Sequence, residues 1–495
     1  MLNVKCICSA NGNTVTRALT LPILTLSLLW SLAVTASQPV DSLVFVPTAY
    51  SAEPPKDLPV IDRVYRNLMT RSSMQTLAQD YNTALGGDGV ISDYSERIYD
   101  IETRSGPFAS ELTEVLHSLG KLYAEQHMYD QALESFAREE HINRVNNGLY
   151  SESLLPAIKA QIHVMNATGM VSEADDKQQY LIYLLERCYG RNDQRLLPDL
   201  VNYAEWNMEQ FHELIRFEFR DIATLMFNGI ASSKEEFRAQ AFDKLDMAAK
   251  YNVRAVELFI NQEQFGDPTL FQLENRLIEV SFFQAARREM LIDPDDYLDK
   301  LAFKDEMYGK GPFAKLTRDA YHYGLAAYER QLLYIKKDTE GSLARYIDVL
   351  MAMGDWYILF DKPHSGYLKY REAHEMMKQM NVKQTDIAEV LSPEVPAILP
   401  TFTATAHSLG SIVQHKTVLG AYEGYIDVSF RINSNGSPRG LEVLEASDNT
   451  SDEVAKKLLR TLKKSRFRPP LDEMAQDEND LVALRYYYAY ENGPT

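Results

Sequence analysis

Three glycines, Gly106, Gly148 and Gly190, stand 42 residues apart in this 495-residue chain. More than glycine recurs at that interval: Leu154-Leu155-Pro156 returns as Leu196-Leu197-Pro198, and Ala132 returns as Ala174. A fixed period of this size means stacked supersecondary units, none of which can bury its apolar face alone. The chain is therefore expected to fold as a one-dimensional array over its middle.

Inside the unit, Leu116, Leu119, Gly120 and Tyr123 are spaced by three and four, which puts them on one helical stripe. Gly120 has no side chain, so a neighbouring helix can come close. After Gln126 and His127 a second stripe begins with Tyr129, Ala132 and Phe136; Ala132 is small where the two helices cross, and Phe136 fills the groove beside it. These positions resemble the tetratricopeptide repeat, with Leu116 in place of its leading tryptophan. The 42-residue spacing resembles the longer variant found in kinesin light chains. The resemblance implies paired helices and a groove, lined by each unit's first helix, that binds extended peptides. A second such unit carries Met353, Gly354, Trp356, Tyr357, Gly366, Tyr370 and Ala373, with Gly366 at the small crossing position. Between Asn207 and Lys315 the motif fades while helical stripes persist. Asp267-Pro268 is a good helix start, followed by Leu270, Leu273, Leu277 and Val280 on one face, so this stretch reads as degenerate hairpins of the same superhelix, the alternative being an inserted helical domain. Trp206 and Trp356 are expected in the core.

The amino terminus carries an address. Lys5 and Arg17 precede an apolar run from Leu19 to Ala36, and Val34 and Ala36 fit a signal-peptidase site. The reading is export to the periplasm with cleavage after Ala36; the alternative is an uncleaved membrane anchor over 19–36, and only that alternative gives membrane contact. Cleavage removes Cys6 and Cys8 and leaves Cys188, which lies in an apolar pattern and is expected to pack as an unreactive thiol. Ser51 to Lys56 reads as an extended linker, and Val64 to Leu85 as one helix.

Proline density marks the far boundary: Pro393, Pro396 and Pro400 fall within eight residues, and proline cannot continue a helix. Beyond it the period becomes two. Ile426, Val428, Phe430 and Ile432 alternate with polar residues as in a half-buried strand. Asn433 to Gly436 supplies a turn, and Leu441 to Leu444 a second strand. Thr450 to Glu453 reads as a capping box, opening a helix with Val454, Leu458, Leu459 and Leu462 on its apolar stripe. Val482, Leu484, Tyr486, Tyr488 and Tyr490 form a last alternating strand. The expected fold is mostly α: a tetratricopeptide-like solenoid followed by a small α+β domain of order β-β-α-β with an antiparallel sheet. The predicted divisions are 1–36 signal peptide or anchor, 37–104 linker and helical segment, 105–385 repeats, 386–403 proline-rich linker and 404–495 terminal domain.

In that last domain, Gly424-Tyr425-Ile426-x-Val428-x-Phe430-x-Ile432, the turn Gly436 and Arg466-Phe467-x-Pro469 resemble the carboxyl-terminal domain of TonB, the energy transducer of Gram-negative bacteria. The resemblance implies an envelope protein with a peptide-binding fold whose terminal strand region receives a segment of an outer-membrane receptor. It departs from the family in having a solenoid where TonB has a proline-rich spacer, and in lacking both the Tyr-Pro element and the histidine of the membrane helix.

Two candidate partner sites follow. If the last strand borders the sheet, its backbone offers an edge to an extended peptide, with Arg485 and Tyr487 on one face and Tyr486, Tyr488 and Tyr490 on the other. Lys456, Lys457, Arg460, Lys463, Lys464, Arg466 and Arg468 form a basic cluster that could steer an acidic partner or simply be a solvated helix face. A net charge of −19 and a pI near 5.1 argue against nucleic acid as a partner. No His-Glu-x-x-His, Gly-x-Ser-x-Gly or phosphate-cradling loop occurs. Asp293, Asp295, Asp296 and Asp299 lack the central glycine and terminal glutamate of a calcium loop, Lys304 standing at the latter position. No catalytic, cofactor or metal residue is predicted. The expected function is a non-enzymatic periplasmic scaffold with protein or extended-peptide partners in the envelope. The alternative is a TonB-type energy transducer engaging an outer-membrane receptor.

Overall fold

The computed structural model describes residues 43–50, 61–62, 87–215, 234–287, 290, 312–338, 342–383, 387, 390–391, 398–399, 416–417, 422–469 and 481–490. The apolar run at 19–36, Cys6 and Cys8, the linker at 51–56, the helix expected over 64–85 and the aspartate cluster at 293–299 lie outside the described residues.

The glycine period is a helix-termination period. Gly106, Gly148 and Gly190 adopt φ of +91°, +89° and +89°, where any side chain would strain the backbone. Each donates its N–H to the carbonyl four residues back, Glu102, Arg144 and Glu186, at 2.9, 3.1 and 3.0 Å. They close α1 (Gly87–Ser105), α3 (Tyr129–Asn147) and α5 (Val171–Tyr189). The recurring Leu-Leu-Pro restarts the chain. A 3-10 turn at Glu152–Leu154, capped by Ser151, leads into α4 (Leu155–Ala167); its repeat at Gln194–Leu196, capped by Asp193, leads into α6 (Leu197–Ile215). Proline is accepted there because a helix's first turn has no use for its N–H, and Leu154 and Leu196 are both fully buried.

Within the hairpins a second device turns the chain. His127, Gly169 and Asp361 take positive φ (58°, 71° and 55°). The following N–H then reaches five residues back: Met128 to Tyr123, Met170 to Met165 and Lys362 to Tyr357, at 2.8, 2.9 and 2.8 Å. This left-handed closure satisfies carbonyls orphaned at a helix end. It joins α2 (Glu111–Glu125) to α3, α4 to α5, and α10 (Leu343–Leu359) to α11 (Pro363–Gln379). The stretch where the motif fades still pairs helices, α6 with α7 (Lys234–Asn261) and α8 (Pro268–Ala285) with α9 (Pro312–Lys337). Asp267 caps α8, accepting from the Thr269 N–H at 2.7 Å. One continuous apolar core runs from Leu154 to Leu399 and includes Trp206 and Trp356.

Close helix crossings hold two of the hairpins together, α2–α3 and α10–α11. A Cβ on Gly120 would stand 2.6 Å from the Phe136 ring, and one on Gly354 would clash with the Tyr370 ring, the same 16-residue separation in both. A Cβ on Gly366 would stand 3.1 Å from the Gly354 carbonyl oxygen in the same sense.

Two short strands, β2 (Ile61–Asp62) and β4 (Lys416–Thr417), pair with each other, and the terminal unit contains β5 (Gly424–Ile432), β6 (Pro438–Ala446), α12 (Asp452–Lys464) and β8 (Val482–Tyr490). Ser451, rather than Thr450, caps α12 by accepting from the Val454 N–H; Thr450 instead bonds Ser447 at 2.8 Å. Val454, Leu458 and Leu462 pack on Ile426, Val428, Phe430, Tyr486 and Tyr488. Two departures from the sequence reading stand out. Residues Leu43–Ala49 of the segment read as linker form β1, which joins this sheet. Ile398–Leu399 of the proline-rich stretch form β3, which pairs with β7 (Arg466–Phe467). The sheet unit therefore draws on three separated parts of the chain, and the described residues all fall in one compact unit.

Gly354→Ala is expected to lose about 1–3 kcal/mol, although alanine is the better helix former, because the Tyr370 ring must move. Urea denaturation of Gly354→Ala, Tyr370→Leu and the double variant checks this: the double variant should cost less than the sum.

Candidate interaction surfaces

The four-stranded sheet has the order β1-β8-β5-β6, all pairs antiparallel. The tyrosine strand is thus interior. Leu484 to Tyr490 pair with Ala49 to Leu43 on one side, and Val482 to Tyr488 pair with Phe430 to Gly424 on the other. This corrects the reading of Arg485, Tyr486, Tyr487, Tyr488 and Tyr490 as a sheet border, since β1 takes up the backbone groups an added strand would need. Pro47 lies within β1 and lacks an N–H, which suits an edge strand and not a central one.

Both faces of β8 are committed as well. Tyr486 and Tyr488 pack under α12, each 2% exposed, and burial pushes the Tyr486 hydroxyl well above the ordinary phenol range. On the opposite face Arg485 forks onto Asp427 with two bonds of 2.7 Å, and its guanidinium lies 3.8 Å from the Tyr425 ring centre. Asp427 is fully buried, so the pair is a structural neutralisation. Tyr487 packs between Tyr422 and Tyr425. Tyr490 pairs with Leu43 through its backbone.

The other border is β6, where Val443 and Leu444 are 40% and 48% exposed. Its pairing with β5 skips a residue twice, between Asp427 and Val428 and between Ser429 and Arg431. Bulges bend an edge and spoil it as a template. Neither border offers a long flat strand.

The basic cluster divides in two. Lys456, Arg460 and Lys463 are exposed on one face of α12, and Lys457 is half-buried on that helix, which Lys464 ends. Arg466 and Arg468 do not belong to a surface patch. Arg466 bonds the Ser437 hydroxyl, and burial pulls its pKa down, partly offset by Asp361. Arg468 donates from Nε and Nη2 to the two carboxylate oxygens of Asp355 at 2.8 and 2.6 Å. The Tyr370 hydroxyl donates to the same carboxylate at 2.8 Å. Asp355 is 3% exposed. Burial alone would lower the Arg468 pKa, but its bonds to Asp355 outweigh that and raise it. Around this clamp, Gly436 sits against Ile358, and the Phe467 N–H donates to the Gly436 carbonyl at 2.8 Å. The clamp joins α10 to the segment after α12 across 113 residues. Sequence reasoning missed it, though Asp355 was the signal: it is the one charge in the apolar run Leu350 to Leu359.

Cys188 packs partly buried against the solenoid core, its thiol 3.5 Å from the Tyr150 carbonyl, and burial raises its pKa. A groove of about 420 Å³ opens between α9, α10 and α11. Among the described residues no group of three histidine, cysteine, aspartate or glutamate side chains is placed to hold a metal ion, and no helix is long and apolar enough to cross a membrane.

The chain matches no protein-family model and no curated protein. Among solved structures, the crystal structure of BtubC (BKLC) from P. vanneervenii is similar over 61% of this chain and 94% of that one, at 11% identity and a TM-score of 0.29. A likeness that loose carries no argument about fold or function.

Two outcomes are expected. Arg468→Met removes the cation that neutralises buried Asp355, with the Tyr370 hydroxyl still bonded to it, and should lower stability by about 3–5 kcal/mol in urea denaturation, whereas Asp355→Leu/Arg468→Leu should cost less than the sum of its two single changes. Deleting residues 43–49 should speed amide exchange over 484–490 by at least about tenfold, read by mass spectrometry, and a synthetic Leu43–Ala49 peptide should restore protection in trans.

Proposed function

We propose that this chain is a non-enzymatic scaffold of the Gram-negative periplasm, exported by its amino-terminal segment. In this reading a tetratricopeptide-like solenoid carries a TonB-like domain and recruits protein partners of the envelope. The observation that supports it most is the buried Asp355–Arg468 fork. It fixes two architectures of the kind used for binding in one relative placement, as presentation to a partner requires. The export signal read at 19–36 supplies the compartment.

The energy-transducer reading has to meet a length constraint. Six residues, 37–42, separate Ala36 from β1, and six residues span at most about 20 Å. An anchor over 19–36 would therefore hold the sheet close to its own membrane for as long as β1 stays on β8. Reaching a receptor in the other membrane would require β1 to leave.

Affinity capture of the full-length chain from periplasmic extract tests the proposal. The recovered chain is expected to begin at Ser37 and to bring partner proteins with it in reproducible ratio. A chain that begins at Met1 and partitions with membranes would overturn export, and capture of the chain alone would overturn the scaffold.

A further inference from the structure

The 42-residue period places Tyr150 where the preceding unit has Phe108, Tyr183 where it has His141, and Arg187 where it has Val145. The first two of these positions meet in both units: the Phe108 and His141 rings lie 5.7 Å apart, the Tyr150 and Tyr183 rings 6.1 Å apart. An aromatic contact between the loop before a hairpin and that hairpin's second helix is thus a packing feature, and phenyl and imidazole rings supply it without a hydroxyl. The later unit adds chemistry to it. Its two hydroxyls bond each other at 3.3 Å, and Arg187 Nε donates to the Tyr183 oxygen at 3.1 Å. The guanidinium stands 5.5 and 5.3 Å from the two ring centres. With Tyr150 and Arg187 both donating to its oxygen, the Tyr183 hydroxyl is held below the ordinary phenol pKa. Tyr150 is 53% and Tyr183 41% exposed, so no buried polar group depends on either hydroxyl. Tyr203 and Tyr251 are closer, with rings 4.6 Å apart, but they are 1% and 8% exposed and the Tyr203 hydroxyl is committed to Asp175.

We infer that Tyr150 and Tyr183 are an oxidative cross-linking site, at which hydrogen peroxide, used by a haem peroxidase, joins the two rings as dityrosine. Each phenol gives one electron and one proton to the oxidant, leaving two phenoxyl radicals. The radicals couple through the ring carbons beside the oxygens; those carbons then lose their protons and the hydroxyls re-form. One hydrogen peroxide is reduced to two waters, and the two rings together lose two hydrogen atoms. In the product the hydroxyls flank the new carbon–carbon bond and stand side by side, as the hydrogen bond between them already holds them. Rotation of the exposed side chains brings the ring carbons together. Arg187 is a positioning residue: it holds the Tyr183 oxygen and favours the phenolate, the form that yields an electron most readily. The new bond ties the loop after α3 to α5 across 33 residues, and a covalent closure of that kind restricts the unfolded chain. Cys188, on the same helix, is a free thiol, so no disulfide supplies such a link there. The inference goes beyond the scaffold reading and does not depend on it.

The test treats the full-length chain with hydrogen peroxide and a haem peroxidase over a range of protein concentrations and pH. It reads dityrosine fluorescence, intact mass and the cross-linked peptides after trypsin. The expected product is a monomer lighter by two hydrogen atoms, formed in a yield independent of protein concentration, with its cross-link mapped to Tyr150 and Tyr183. Tyr150→Phe and Tyr183→Phe should each abolish that product; both side chains are exposed, so both variants should fold as the parent does. Arg187→Gln should keep the cross-link but shift its formation to higher pH, a change that a merely structural role would not produce. Undiminished dityrosine in either phenylalanine variant, a cross-link mapped to other tyrosines, coupling only between chains, or oxidation confined to Cys188 and the methionines would each overturn the assignment. An unshifted pH profile in Arg187→Gln would overturn the role given to Arg187.

Discussion

A carboxylate buried among apolar side chains has to be neutralised, and that requirement at Asp355 ties this molecule together. The side chain sits inside the helix that also carries Gly354 and Trp356, where an uncompensated charge would cost several kcal/mol. Its own hairpin supplies the Tyr370 hydroxyl, and the sheet unit supplies the Arg468 fork. Tyr370 is also the ring that needs Gly354 to be bare. Close packing of the last hairpin, satisfaction of its buried acid and attachment of the next unit are therefore one arrangement and not three. The interface is built to be rigid, because sliding either partner would strand a charge.

Much of the solenoid was legible because helix termination is local. A glycine at +89° and a proline in the first turn depend on neighbours within four residues, so their recurrence at 42 can be read without knowing the tertiary structure. The Gly120–Phe136 crossing was legible for the same reason, its partners lying one hairpin apart. Sheet order was not. Alternation identifies Val482 to Tyr490 as a strand and assigns its two faces correctly, but nothing in nine residues says how many neighbours the strand has. The second neighbour, β1, lies over 430 residues away, and its sequence, Leu-Val-Phe-Val-Pro-Thr-Ala, interrupts its own pattern with proline. Arg466 and Arg468 were misread for a related reason. A run of cations looks solvated until a buried acid is found for one of them, and that acid was 113 positions upstream.

Pairing the first described strand with the last also changes what the terminal unit is. A β-β-α-β segment alone would end with β8 at a border, all its outward backbone groups unpaired, which is an invitation to aggregation or strand exchange. Here β1 takes that border among the described residues, and Pro47 within it has no N–H to offer. On the far border, β6 is bulged twice. The sheet is thus guarded at both ends by different means, one by an added strand and one by distorted register.

With its borders guarded and its central strand buried on both faces, the sheet unit has little backbone left for recognition, and side-chain surfaces become the natural place for it. The α12 face with Lys456, Arg460 and Lys463 is one, though exposed charge without an apolar floor gives steering more than affinity. The groove beside Tyr357 differs in having both. It also stands next to the clamp: Tyr357 follows Asp355 by two positions on α10, and Lys369 immediately precedes Tyr370 on α11.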